Sequence, residues 1–532
     1  MGQVVVFSKT QCPHCIEAKD ILNSFDIPFT EINIEDDLQS SMLMSYANKR
    51  HTVPQIFFND QHIGGAHELK QISADNVKQM AEEALAAAND PAFLSASLSA
   101  KELSNAIIPI KDFLDPHLPG DFIHLPEYKA VELWYSQMFG FLCNCYDQMT
   151  LKPEPMSLFI PVLSSMMEQV AKELGTEGFG IACMAAAFAA ECSYCAAHGA
   201  DLTMKYGGHQ DIKIEKLYDY LRGDIELQEL PFNDELKVSI LLAARMSTQS
   251  ITQQDMDYAR SVFGIERLRG VCESIAGIGG IMGFLNRWND LIGVEIEASI
   301  KQTIDSSALA AQWDWGTHDT EDDENRHVYR DPKAKMPPPS KEQFRQLTKK
   351  VRDDVFAERE EVIAKYLQLD QALLPAWIAI LPNEDTTRAT SAFYHACLNQ
   401  GELSSELKHL ANYAMLAGAG YPDMAAEEKR IAASLCQDRE QFAPRLAAIE
   451  KLAAGQAADT EILSDQEIVA IKLARQCQSF PHVVRGELVM ELSRQFSPEQ
   501  IVELVMALAV SGVGQRCVGI NKPFNAYMHT AS

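Results

Sequence analysis

The chain has 532 residues, 47% of them hydrophobic and 23% charged, so it is expected to fold as a globular protein too long for a single hydrophobic core. A formal net charge of −28 repels phosphate backbones and anionic lipid surfaces, which argues against nucleic acid and membranes and leaves small molecules and proteins as partners. The opening residues lack the basic start and long apolar run of a signal peptide, and the apolar stretches 181–190 and 505–513 are too short to cross a bilayer, so a cytoplasmic location is expected.

The first ninety residues alternate short apolar runs with helical patterns: strand at 4–7, helix at 15–25, strand at 28–34, helix near 37–48, strands at 55–58 and 62–63, and a helix over 68–88. They predict a small α/β domain over 1–88, followed by an Ala/Ser-rich linker over 89–110. Beyond it, apolar residues recur at helical spacing with no strand-period segment, which predicts an all-α remainder. An acidic and proline-rich stretch at 313–342 cannot continue a helix and divides that remainder into domains at 111–312 and 343–532.

The two helical parts read as copies. Phe232-Asn-Asp-Glu opens a series of segments at 251–263 and 265–276 and a glycine-rich run ending in Asn286-Arg-Trp-Asn. Leu463-Ser-Asp-Gln-Glu opens a matching series at 483–496, 497–509 and 512–521. The competing reading is that helical proteins share such periodicity in general.

Of twelve cysteines, two pairs lie three apart, Cys12/Cys15 and Cys192/Cys195. In a reducing compartment such pairs point to function. Cys12-Pro-His-Cys15 falls where a strand gives way to a helix, whose free N–H groups and positive end lower the Cys12 thiol pKa. Cys15, one turn inside, is placed to resolve a mixed disulfide. A zinc half-site is the alternative, and it needs a second ligand pair that the sequence does not offer nearby.

With Thr52-Val53-Pro54-Gln55 and His62-Ile63-Gly64-Gly65 added, residues 1–88 resemble bacterial glutaredoxins. The resemblance implies a thioredoxin-like fold with a cis Pro54, and glutathione as electron donor. It implies glutathione bound by Lys9, the Thr52-Val53 backbone beside Pro54, and the turn at Gly65, with Glu68 on the amino group. His14 replaces the family's usual Tyr, and His67-Glu68 its Asp-Asp. Some glutaredoxins carry an iron–sulfur cluster, but two cysteines favour disulfide exchange, and no metal or flavin is expected.

Glu191-Cys-Ser-Tyr-Cys195-Ala-Ala-His198 follows a run of small apolar residues and is expected at a helix start, with both thiols on one face and His198 one turn on, able to accept a thiol proton. A buried helix with incidental cysteines is the alternative. Residues of about 120–310 resemble the alkylhydroperoxidase D / carboxymuconolactone decarboxylase family, an all-helical fold, and the tail Asn286-Arg-Trp-Asn-Asp-Leu-Ile-Gly is similar too. The resemblance implies Cys195 as the peroxide-attacking thiolate, Cys192 as the resolving thiol exposed to a reductant, and His198 as proton relay. The family places its histidine where this chain has Gly199, and a glutamate where it has Gly180; Glu177 lies one turn away as a substitute.

The full expected architecture is thus a thioredoxin-like domain followed by two alkylhydroperoxidase D-like all-α domains. The C-terminal stretch 417–424 lacks the cysteine pair and reads as a degenerate copy. Cys143 and Cys145 read as core or a second redox pair; Cys183, Cys272, Cys397, Cys436, Cys477 and Cys517 read as core, and His209, His318 and His327 as loop residues without a role. Three functions follow: a glutathione-fed relay ending on a peroxide, the same relay ending on a protein or small-molecule disulfide, and a non-enzymatic redox sensor or cluster-carrying scaffold. A homo-oligomer is allowed for.

Overall fold

Four consecutive β-prone residues and Ser8 form strand β1 (Val4–Ser8), buried at every position in the computed structural model. The structure describes residues 3–10, 12–34, 40, 43–44, 53–87, 91–95, 109–114, 123–206, 211–316, 318 and 339–531. The chain divides into two compact units, residues 1–115 with 485–493, and 116–484 with 494–532.

In the first unit β1 is followed by helix α1 (Pro13–Ser24), β2 (Thr30–Asn33), the hairpin β3 (Gln55–Phe58) and β4 (Gln61–Gly64), and helices α2 (Ala66–Gln71) and α3 (Ala74–Ala86). The sheet order is β2-β1-β3-β4, with β1 parallel to β2 and antiparallel to β3. Alternate residues of β1 serve opposite faces. Val4 and Val6 join Leu22, Leu69 and Val77 beneath the helices, while Val5 and Phe7 join Phe57 and Phe93 on the other side. The single helix expected over 68–88 is two: the chain turns at Ile72, and Ser73 Oγ accepts from Asn76 N–H at 3.4 Å to cap α3. The helix expected near 37–48, and both linkers, lie largely outside the described residues.

Among its described residues the second unit carries helices and no strand: α4 (Tyr128–Met138), α5 (Pro153–Glu173), α6 (Gly175–Phe188), α7 (Ser193–Tyr206), α8 (Asp211–Arg222), α9 (Asp234–Ser247), α10 (Gln253–Ile292), α11 (Ala298–Asp305), α12 (Lys341–Leu367), α13 (Glu384–Leu398), α14 (Ser405–Gly418), α15 (Pro422–Leu435), α16 (Arg439–Ala453), α17 (Asp465–Gln476) and, after α18 (Gly486–Gln495), most of which belongs to the first unit, α19 (Pro498–Ala531). Gly264, at φ 73°, kinks α10 where the sequence breaks its pattern at 263–265. The expected break between 509 and 512 does not occur. α19 runs through it, because Gly512 serves packing and not termination: a Cβ there would overlap the Gly283 carbonyl of α10, and one on Gly283 would overlap the Gly512 carbonyl. The two longest helices therefore cross backbone to backbone.

Both are also long and apolar enough to cross a membrane, contrary to the expectation drawn from the short apolar runs. Of their most apolar windows, 78% in α10 and 94% in α19 is buried inside the unit. In α19 the run 505–513 stops short of Gln515 and Arg516, and packing buries those residues with the rest.

Candidate active sites

The first site is built by the β1–α1 turn. Cys12 caps α1, its Sγ 3.1 Å from Cys15 N, with Pro13 at the first helical position, where a missing N–H costs nothing. Cys12 and Cys15 are joined as a disulfide with Cα atoms 5.2 Å apart. Cys12 Sγ lies 3.7 Å from the Val53 carbonyl oxygen, next to the cis peptide of Pro54. The sulfurs are shielded, at 5% and 1% residue exposure, while His14 stands out in solvent. Glu68 Oε2 accepts from Gly65 N–H at 2.8 Å and so caps α2. Gly64, at φ 105°, has the Glu68 side chain where a Cβ would sit, which accounts for the glycine. Thr52, expected to contribute its backbone, lies outside the described residues.

The second site starts at a tight reversal between α6 and α7. Glu191 takes a left-handed φ of 56°, Cys192 N–H returns to the Ala187 carbonyl, and α7 begins at Ser193. Cys192 and Cys195 are both buried. Asn289 of α10 donates from Nδ2 to Cys195 Sγ at 3.2 Å. Burial pushes both thiols up. Hydrogen bonds from the Cys192 thiol and Asn289 oppose that rise at Cys195, and one from His318 opposes it at Cys192.

Each cysteine faces a different space. Cys195 lines a narrow apolar cavity of about 60 Å³ with His198, Cys143, Phe139 and Met167. Cys192 lines a cleft of about 540 Å³ with His318, Asp290, Trp313, Tyr218 and Arg222.

The neighbours of His198 are not those expected. Neither family position admits a side chain: a Cβ at Gly180 would meet Thr203 Oγ1 at 2.5 Å, and one at Gly199 would meet Met184 N at 2.5 Å, because α6 and α7 touch there. The carboxylate on His198 is Glu297, not Glu177, at 2.8 Å from Nε2. Its other oxygen accepts from Asn144 N–H and the Tyr194 hydroxyl, both at 2.7 Å. Burial alone would raise the Glu297 pKa, but His198 and those donors hold it at about 2. Gly293, left-handed at φ 73°, ends α10 and turns the chain so that Glu297 reaches back to α7.

His318, read as a loop residue, is buried beside Cys192. Its Nδ1 lies 2.7 Å from the Val294 carbonyl and its Nε2 3.3 Å from Asp290 Oδ1. Burial would lower its pKa, but Asp290 and Cys192 raise it to about 10. The signal for Asn289 and Asp290 was in the sequence, as a polar pair inside an apolar helix; nothing local announced Glu297 or His318. His209 and His327 lie outside the described residues. Cys143, Cys145, Cys183, Cys272, Cys397, Cys436, Cys477 and Cys517 are buried and free.

The junction between α14 and α15 repeats the same backbone course: Gly420 is left-handed at φ 82° and Tyr421 N–H returns to the Leu416 carbonyl. His409, twelve residues before Tyr421, and Glu428, seven after it, hold the places that Gly180 and Gly199 hold around Cys192. They bond to each other at 2.6 Å, both fully buried, with Tyr394 on Glu428 and the half-buried Asn399 on His409. Tyr421 and Met424 stand where the first junction has Cys192 and Cys195.

A family model described as Glutaredoxin matches residues 4–63. Glutaredoxin 3 of Escherichia coli K12 is 38% identical over 74 residues, 14% of this chain and 89% of the relative. Glutaredoxin-C2 of Arabidopsis thaliana is 33% identical over 76 residues, 14% of this chain and 68% of the relative. Glutaredoxin-2 of Schizosaccharomyces pombe is 34% identical over 84 residues, 15% and 76% respectively. No solved structure matches the chain at a significant level.

Proposed function

This chain belongs to the glutaredoxin family through its N-terminal α/β unit, and on that premise we propose that it is a glutathione-fed electron relay whose second dithiol reduces hydroperoxides. Thiol–disulfide oxidoreductase chemistry at the glutaredoxin unit is the foundation. Glutathione opens the Cys12–Cys15 disulfide, and the resulting dithiol passes two electrons to a Cys192–Cys195 disulfide. Carrying both dithiols on one chain turns that exchange into an intramolecular step, with the effective concentration set by the connecting segment.

The observation that carries the reading is the asymmetric setting of Cys195. Its sulfur accepts from the Asn289 side-chain amide, and it lines an apolar cavity with the Glu297-held His198. There the Cys195 thiolate attacks the distal peroxide oxygen, the O–O bond breaks, and the alcohol leaves with a proton relayed through His198. Cys192 then attacks the sulfenate, releasing water and forming the disulfide. The helical unit is read as a tandem pair of alkylhydroperoxidase D-like domains, with the α14–α15 junction as the degenerate copy of α6–α7. A cytoplasmic setting suits the glutathione requirement.

The test is glutathione-dependent consumption of an organic hydroperoxide by the full chain. Turnover that survives Cys195→Ser overturns the peroxidase assignment. A second reading, reduction of a protein or small-molecule disulfide, is favoured by one observation: the cleft at Cys192 is far larger than the cavity at Cys195. A disulfide panel run beside the hydroperoxide separates the two, since this reading predicts disulfide turnover that is lost on Cys192→Ser with no hydroperoxide consumption.

A further inference from the structure

Three side chains from three parts of the helical unit converge under the floor of the Cys192 cleft: Cys192 from the start of α7, Asp290 from α10 and His318 from beyond α11. One ligand atom of each, the sulfur, a carboxylate oxygen and a ring nitrogen, lies within 4.8 Å of the other two, and all three residues are buried.

We propose that Cys192, Asp290 and His318 form a binding site for a divalent transition-metal ion of the zinc class, with its fourth coordination position open to the cleft. The mixed sulfur, nitrogen and oxygen set suits Zn²⁺ or Co²⁺ and is too soft for Mg²⁺ or Ca²⁺. The charges balance: a Cys192 thiolate and an Asp290 carboxylate neutralise the dication in a setting where an uncompensated charge is costly. On binding, the Cys192 thiol proton and the Nε2 proton of His318 both leave to solvent.

Two further features favour a ligand here over a closed hydrogen-bond network. His318 has Nδ1 at 2.7 Å from the Val294 carbonyl, which fixes the ring with Nε2 aimed at Asp290 and Cys192; a backbone carbonyl on the distal nitrogen is how metal-binding histidines are usually oriented. Asp290 Oδ2 is buried without a hydrogen-bond partner, an acceptor that a metal ion would satisfy. The neighbouring trio Cys143, His198 and Glu297 is equally close, but both Glu297 oxygens already serve His198, Tyr194 and the Asn144 N–H. That trio is a completed network, and the Cys192 trio is not.

The ion and the Cys192–Cys195 disulfide compete for one sulfur, so metal is held only by the reduced chain and is released on oxidation. This requires a reducible Cys192 and does not depend on what the dithiol reduces.

The experiment is an anaerobic Co²⁺ titration of the reduced full-length protein carrying Cys12→Ser and Cys15→Ser, which removes the other dithiol. Expected are one equivalent of Co²⁺ with a thiolate-to-cobalt charge-transfer band, displacement by Zn²⁺, and loss of the band after oxidation with diamide. Expected too is affinity weaker by about 100-fold or more in both His318→Gln and Asp290→Asn. Tryptophan fluorescence and circular dichroism check that each variant is folded. The proposal is overturned by no charge-transfer band in the parent protein, or by an undiminished band in folded His318→Gln, Asp290→Asn or Cys192→Ser. Peroxide or disulfide turnover enters none of these readouts, so failure of the metal site and failure of the relay are separately visible.

Discussion

Glu297→Gln isolates the charge that organises the second dithiol. The amide keeps an oxygen for the Asn144 N–H and the Tyr194 hydroxyl, and removes the negative charge facing His198. In the folded chain the carboxyl sits at about 2 against an ordinary 4.5. A depressed folded pKa stabilises the fold above the unfolded value and loses that contribution as pH falls toward the folded one. The full difference is worth about 3 kcal/mol, and linkage reduces it to about 2 kcal/mol near pH 3.5. All five tryptophans, at 134, 288, 313, 315 and 377, lie in the helical unit, so urea unfolding followed by their fluorescence reports that unit alone. The expected result is a variant less stable by about 3 kcal/mol near neutrality, with the gap to wild type narrowing by roughly 1 kcal/mol between about pH 5.5 and 3.5. A pH-independent gap, or none, would refute the reasoning that Glu297 is held as a carboxylate beside His198.

Gly283→Ala inserts a methyl group against the Gly512 carbonyl at the α10–α19 crossing, and the helical unit should lose about 1–3 kcal/mol or more in the same urea assay. Gly199→His, which restores the histidine position of the resembled family, drives a side chain into the Met184 backbone; it should destabilise the unit by at least about 3 kcal/mol and give no gain in hydroperoxide turnover. Cys12→Ser should abolish glutathione-dependent reduction of a small mixed disulfide while leaving the tryptophan-monitored unfolding curve unchanged, since the two report different units.

Cys12, Cys15 and the Val53-Pro54 turn were legible because their chemistry is local. A thiol at a helix start is tuned by the next few backbone N–H groups, and both sequence and structure put it there. Strand β1 was legible as the continuous apolar run 4–7, which matches a strand buried on both faces. Cys192 and Cys195 were legible for the same reason, as two thiols one helical turn apart.

What the sequence could not state was what surrounds that second pair. Asn289 and Asp290 lie about one hundred residues along the chain and face that pair from within α10, while Glu297 and His318, farther still, reach it only after Gly293 ends that helix. Likewise the glycines at 180 and 199, which in one dimension looked like lost catalytic residues, are places where two helices leave no room for a Cβ. Local composition determined where the redox sulfurs stand and which elements carry them. Only tertiary packing decided which acids, amides and imidazoles face each sulfur, because those contacts depend on helix crossings that no local pattern encodes.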